Sequence, residues 1–310
     1  MAARDWLTVY LKGFAMGSAD AVPGVSGGTI ALITGIYDRF IAALAGLDPR
    51  EAFALLPLLA RVHHDDARYE LAVGLSALEI PFLATLGVGV VSAAITVANV
   101  VEYARTAFPA PTYAFFFGLI AASVVVLLDE VDLTTPRRIV AGLLGFVLAF
   151  AVSGGATATL PSGLLTIFVA GAIAICAMVL PGISGSLILL TLGQYHVLTN
   201  AVSTATDAIL GGHAADATDP VVTIVVFAVG AVIGVLSFAR AVSYALSEYR
   251  EATLTFLVAL MVGALRAPGH IVLEEVDAWT LDVTLVLVVV AAVGALCVLV
   301  LEYTTDEITY

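Results

Sequence analysis

Residues 19–38 read ADAVPGVSGGTIALITGIYD, and residues 177–196 read AMVLPGISGSLILLTLGQYH. The two stretches align without a gap at an offset of 158, and nine positions agree: Ala19, Pro23, Gly24, Ser26, Gly27, Ile30, Leu32, Gly35 and Tyr37. Apolar composition alone does not produce PG-x-SG followed at a fixed distance by G-x-Y, so the chain reads as an internal duplication. Each copy interrupts an otherwise apolar stretch, about 4–46 and about 162–202. Proline removes a backbone donor and glycine permits turns that other residues resist. In lipid, such an unwound backbone is tolerated only where it is buried in protein or lines a polar cavity. The duplicated stretches therefore predict two broken helices.

The rest of the sequence fits a membrane setting. Of 310 residues, 61% are apolar and only 12% charged, about half the charge fraction of a soluble domain. That excludes a soluble enzyme. Twelve Lys and Arg against a net charge of −13 exclude a nucleic-acid-binding chain. Cys176 and Cys297 sit in apolar runs without motif partners, and His63-His64 lies in a charged loop, so no metal site, disulfide framework or cofactor is expected. The first fifteen residues lack a signal-peptide pattern. Lys12 is the single lysine among twelve cations, and acidic pairs such as Asp65-Asp66 and Glu274-Glu275 crowd the loops. That balance suits a salt-loving organism, and a GC-rich genome would also favour Arg over Lys.

Uninterrupted apolar runs predict crossings at about 71–101, 111–129, 137–153, 220–246, 253–267 and 281–301. If the N-terminus is cytoplasmic and each broken segment returns to its own side, ten cations lie inside: Arg4, Lys12, Arg39, Arg50, Arg61, Arg68, Arg137, Arg138, Arg240 and Arg250. Two, Arg105 and Arg266, lie outside. The second broken segment then enters from outside, which makes the halves inverted, as in many transporters. In the first copy, Lys12 to Pro23 and Thr29 to Arg39 each reach roughly 15 Å, half the hydrocarbon thickness. The expected fold is an all-α polytopic membrane protein of one domain, 1–310. Residues 1–153 and 162–301 form inverted repeats, each a re-entrant broken-helix hairpin followed by three transmembrane helices. N- and C-terminus are both expected on the cytoplasmic side of the cell membrane.

Each break should start a new half-helix, near Gly28 and Ser186, whose free N–H groups and positive dipole end point toward the membrane centre. That favours an anion held by Pro23, Gly24, Val25, Ser26, Gly27, Gly28 and Thr29 of the first copy. Pro181, Gly182, Ile183, Ser184, Gly185 and Ser186 would serve in the second. The competing reading makes Ser26 and Ser184 helix caps and the glycines packing residues. Asp20, opposite Met178 of the second copy, is a proton carrier, a partner for Lys12 or a cap to a local turn. Arg240 either snorkels to the interface or binds phosphate. Glu79 pairs with Arg240 or is an ordinary near-interface charge. Lys12, Asp20 and Glu79 are the candidates for coupling, and no catalytic residue is expected.

The run Lys12-Gly13-Phe14-Ala15-Met16-Gly17-Ser18-Ala19-Asp20-Ala21-Val22-Pro23-Gly24-Val25-Ser26-Gly27-Gly28-Thr29, with Gly35 and Tyr37, resembles the opening signature of the polyprenyl-phosphate transporter family. Phe115 to Ile120, Ala177 to Ser186 and Phe227 to Arg240 extend the resemblance over nearly the whole chain. It implies movement of a carrier lipid, undecaprenyl phosphate, back across the cytoplasmic membrane. In a halophilic archaeon, to which the acidic loops point, the carrier would be dolichyl phosphate. The implied partners are that lipid phosphate and the bilayer. A small-anion channel could use the same paired helix starts. A lipid phosphatase would need a nucleophile and acid–base partners, and His196, at the interface, is the only histidine near either break.

Overall fold

The computed structural model describes residues 3–20, 26–131, 133–154, 163–210 and 218–306, and every regular element among them is a helix. The first half runs α1 (Ala3–Asp20), α2 (Gly27–Ile33), α3 (Tyr37–Gly46), α4 (Pro49–Leu59), α5 (Asp65–Ala77), α6 (Ile80–Thr96), α7 (Ala98–Ala107), α8 (Pro109–Val126) and α9 (Pro136–Val152). The second runs α10 (Leu164–Val179), α11 (Gly185–Thr191), α12 (Tyr195–Leu210), α13 (Thr218–Glu248), α14 (Arg250–Ala264), α15 (Arg266–Glu275) and α16 (Leu281–Asp306).

The two matching stretches also share backbone geometry. Moved by 158 residues, α2 becomes α11 with the same bounds. Gly35 and Gly193 end the two short helices at φ 65° and 69°, a left-handed conformation that favours glycine. The Ile36 N–H donates to Ala31 at 3.0 Å, and its equivalent, Gln194, donates to Leu189 at 2.9 Å.

Among the described residues, four segments are long and apolar enough to cross a membrane: Pro109–Glu130, Thr218–Glu248, Arg250–Glu275 and Leu281–Val300. Counting two bent pairs as single spans gives six. The crossings expected at 111–129, 220–246, 253–267 and 281–301 coincide with the first four, and that expected at 137–153 is the 17-residue α9. The run expected at 71–101 is not one helix. It breaks between α5 and α6, which meet at 69°. Glu79 stands at the joint with φ 52°, and Pro81, which cannot donate to the preceding turn, opens α6.

The most extensive helix pairings are α1 with α6, α10 with α13, α8 with α16 and α9 with α14. If α6 corresponds to α13, α8 to α14 and α9 to α16, exchanging the halves maps these four pairs onto one another. Each pair is closed by glycines on both helices. A methyl on Gly118 would strike the Ala291 carbonyl, and one on Gly294 the Phe115 carbonyl. Gly145 and Gly263 do the same between α9 and α14, Gly13 and Gly89 between α1 and α6, and Gly171 and Gly230 between α10 and α13. Between helices in lipid there is no hydrophobic drive to associate, so close backbone approach and dispersion hold such pairs. The outer arms break the correspondence, because α3 and α12 both pack on α13. Every residue of α2 is buried, and its Ile30–Ile33 belong to one buried cluster with Ile120, Leu257, Leu260 and Met261.

Candidate functional site

The first break closes on its own hairpin. The Gly27 N–H donates to Asp20 Oδ1 at 2.6 Å, and the Gly28 N–H to Ser26 Oγ at 3.1 Å. At the far end of α2, Lys12 Nζ donates to the Thr34 carbonyl at 2.5 Å. These contacts fold α2 back along α1, with a carboxylate at its start and an ammonium at its end, each on the side the helix dipole favours. Asp20 thus accepts from the start of α2, and Lys12 and Asp20 grip opposite ends of one helix instead of pairing with each other. Pro23, Gly24 and Val25 lie outside the described residues.

The second break repeats the backbone without the charges. Gly27 stands against the Met16 carbonyl and Asp20, and Gly185 against the Ala174 carbonyl and Met178, the same positions 158 residues on. Ser184 Oγ and Ser186 Oγ bond to each other at 2.8 Å, and no side chain caps the backbone at the start of α11.

The two breaks meet. Ser26 Oγ donates to the Leu180 carbonyl at 2.8 Å, and the Gly182 N–H donates to Thr29 Oγ1 at 3.0 Å. Gly182 adopts φ 82° and rests on the Leu260–Met261 backbone, so no larger residue fits there. Ser26 and Thr29 are fully buried, and Pro181, Ile183, Ser184 and Gly185 are buried beside them. Ser26, Gly27, Gly28 and Thr29 thus lie beside the second break. Both capacities of the Ser26 hydroxyl, as donor and as acceptor, are engaged within the protein.

Arg240 and Glu79 stand elsewhere. Arg240 is exposed and donates to the Leu236 carbonyl at 3.2 Å and the Leu47 carbonyl at 2.7 Å, tying α13 to the end of α3. Glu79 does not pair with Arg240. It pairs with Arg39 at 2.7 Å, and that guanidinium also lies 4.1 Å from the centre of the Phe82 ring. Two participants that sequence reasoning missed, Leu180 and Thr34, contribute only backbone carbonyls, which no residue type announces.

The arrangement is a polar seam of hydroxyls and backbone groups, with one carboxylate and one ammonium, set into an apolar protein. A family model described as undecaprenyl phosphate translocase-like matches residues 16–284 of the chain. A polyprenyl-phosphate transporter of Vibrio cholerae is 38% identical over 261 residues, which cover 84% of this chain and 77% of that one. A polyprenyl-phosphate transporter of Staphylococcus aureus is 30% identical over 278 residues, 85% of this chain and 87% of its own. No solved structure matches.

Proposed function

The chain belongs to the undecaprenyl phosphate translocase-like family, and from that premise we propose that it moves a polyprenyl phosphate across the membrane, chemically unchanged, with the headgroup passing the paired breaks. The observation that carries this reading is the joining of the two repeat copies through Ser26–Leu180 and Gly182–Thr29 in the middle of an apolar fold. A phosphate monoester bears between one and two negative charges near neutral pH, and an apolar interior accepts it only where donors are supplied. The seam supplies the hydroxyls of Ser26, Thr29, Ser184 and Ser186 and the N–H groups of Gly27, Gly28 and Gly185. In the arrangement seen, the Ser26 hydroxyl and the Gly182, Gly27 and Gly28 N–H groups donate to protein acceptors, so a passing headgroup takes the places of the Leu180 carbonyl and Thr29 Oγ1 as the acceptor for Ser26 and Gly182. The isoprenoid tail stays in lipid throughout.

The membrane placement belongs to the same proposal. Both termini face the cytoplasm and the two halves are inverted. The ten-to-two division of cations supports this, and so does the interchange of the four helix pairs when the halves are exchanged.

The test is movement of radiolabelled polyprenyl phosphate between leaflets of vesicles holding the purified protein. The phosphate is expected to move and the corresponding polyprenyl alcohol to stay. Equal movement of both would overturn the reading. Running undecaprenyl and dolichyl phosphates side by side identifies the carrier.

A further inference from the structure

Two openings are lined by α9 and the residues just beyond it. Along the helix, Arg137, Leu144 and Leu148 line an apolar groove of about 480 Å3 together with Phe238, Tyr249 and Leu180. Past its end, Ser153 and Gly154 line a smaller cavity of about 170 Å3, with Tyr113, Leu187, Arg266 and His270. The groove runs along α9 from Arg137 to Leu148 and the cavity begins just beyond the helix, so Arg137 and the Ser153 cavity are separated by roughly 24 Å of helix and lie toward opposite faces. Both end on the second broken segment: Leu180 immediately precedes Pro181-Gly182, and Leu187 belongs to α11.

Each opening has one arginine, and both arginines differ from their neighbours. Arg39, Arg105, Arg138 and Arg250 meet carboxylates, on Glu79, Glu102, Glu251 and Asp38 respectively. Among the described residues, Arg137 and Arg266 meet none. The Arg137 guanidinium lies 3.6 Å from the centre of the Tyr249 ring. That of Arg266 lies 4.3 Å from the Phe150 ring centre and donates one N–H to the Phe150 carbonyl at 2.8 Å. A ring and a carbonyl hold a guanidinium in place without neutralising it, and most of its five N–H donors stay available. The groove at Arg137 is walled by leucine and phenylalanine, while the cavity at Arg266 adds the side chains of Tyr113, Ser153 and His270. A fixed cation beside an apolar wall open to lipid is the complement of an amphiphile with an anionic head and a hydrocarbon tail.

We propose that these openings are the docking sites for the polyprenyl phosphate on the two faces of the membrane, Arg266 taking the phosphate on one face and Arg137 on the other. The proposal rests on the translocation reading above and adds to it the places where the lipid waits before and after crossing. Each guanidinium engages two phosphate oxygens in a forked contact, and the second broken segment is the element shared by both stations. The cation distribution makes the Arg266 cavity the outer station and the Arg137 groove the cytoplasmic one.

The experiment uses the full-length protein, with Arg266→Gln or Arg137→Gln, in vesicles sorted for one orientation. Radiolabelled polyprenyl phosphate is supplied to one leaflet at a time. Each variant is expected to raise the half-saturating lipid concentration roughly tenfold, about what one lost charged contact is worth, and only for lipid offered on its own face. Arg266→Lys and Arg137→Lys keep the charge but not the fork, and are expected to fall between wild type and the glutamine variants. Excess phosphatidylglycerol is expected not to compete, and competition equal to that of unlabelled polyprenyl phosphate would overturn the assignment of the occupant. Should a glutamine variant fail to fold, Ser153→Cys in the cavity lining and Ala141→Cys in the groove lining, in a protein whose native cysteines are replaced by serine, report the two stations directly. Polyprenyl phosphate is expected to slow their modification by a thiol reagent, and unchanged rates would count against the stations. Normal two-way transport by both glutamine variants would overturn the proposal and leave translocation standing. A wild-type protein that moves the phosphate no faster than the alcohol would overturn translocation itself.

Discussion

Lys12 and Asp20, eight positions apart on α1, hold opposite ends of α2. Eight helical residues rise about 12 Å, close to the length of the seven-residue α2 plus its caps, so one straight helix braces the whole of its short neighbour. Ala170 and Met178 occupy these positions in the second copy. The two hairpins share a backbone design, but only the first is fastened by charge.

That difference sets an order of rigidity. Every residue of α2 is buried, whereas in α11 only Gly185 and Leu189 are. Amide hydrogen exchange in detergent is expected to be at least tenfold slower in α2 than in α11, since protection follows buried contacts and secured backbone bonds. Equal protection would mean that the clamp contributes nothing.

Replacing Asp20 separates its cap from its charge. Asp20→Ala removes the acceptor for the Gly27 N–H and is expected to cost about 2 kcal/mol, the usual scale for a hydrogen bond to a charged group. Asp20→Asn keeps an acceptor and is expected to lose less than 1 kcal/mol, with transport within a few-fold of wild type. Thermal unfolding in detergent beside vesicle transport checks both. Lost transport in a normally stable Asp20→Asn protein would give the carboxylate a part in translocation itself.

The seam between the copies has its own test. Thr29→Val leaves the buried Gly182 N–H without its acceptor, and an orphaned buried donor costs about 1–3 kcal/mol. Ser26→Ala removes both a donor to Leu180 and a cap on Gly28. Each is expected to lower the unfolding temperature, and the double variant to lose less than the sum, because both act on one junction.

Glycine substitutions should divide by what each glycine touches. Gly118→Ala drives a methyl into the Ala291 carbonyl and is expected to destabilise the protein by at least 1–3 kcal/mol, as overpacking does. A methyl on Gly87 meets nothing within 4 Å. Gly87→Ala is therefore expected to be neutral or stabilising by up to about 1 kcal/mol, through helix propensity. The melting temperatures of the two purified variants decide it.

Topology is checked with single cysteines in a protein whose Cys176 and Cys297 are replaced by serine. Val62→Cys and Thr134→Cys are expected to stay unlabelled by an impermeant thiol reagent in intact cells, while Ala278→Cys labels. The reverse pattern would invert the whole arrangement.

The sequence signals that worked were local ones. PG-x-SG located both breaks, because proline and glycine act on the residues beside them, and the starts of α2 and α11 fall within a residue of where the motif puts them. Long apolar runs located the crossings for a similar reason. The bend at Glu79 was also locally marked, by Pro81 two residues on, but an apolar run on both sides concealed it. The partners of Arg240 and Glu79 lie 193 and 40 residues away, at Leu47 and Arg39. Their contacts depend on how α3 crosses α13 and how α5 meets α6, which no periodicity encodes. The Leu180 and Thr34 carbonyls escape sequence reading altogether, since every residue has one.

The pairing of α8 with α16 and of α9 with α14 has a consequence for how the chain is made. Ribosomes deliver α8 and α9 long before their mates, so the notched faces around Gly118 and Gly145 must wait in the bilayer until the final third of the protein is synthesised. A gene severed between residues 154 and 163 would yield two pieces, each with two widowed helices, and only co-production in one membrane would make them whole. Either half by itself is half of a handshake, complete only beside the other.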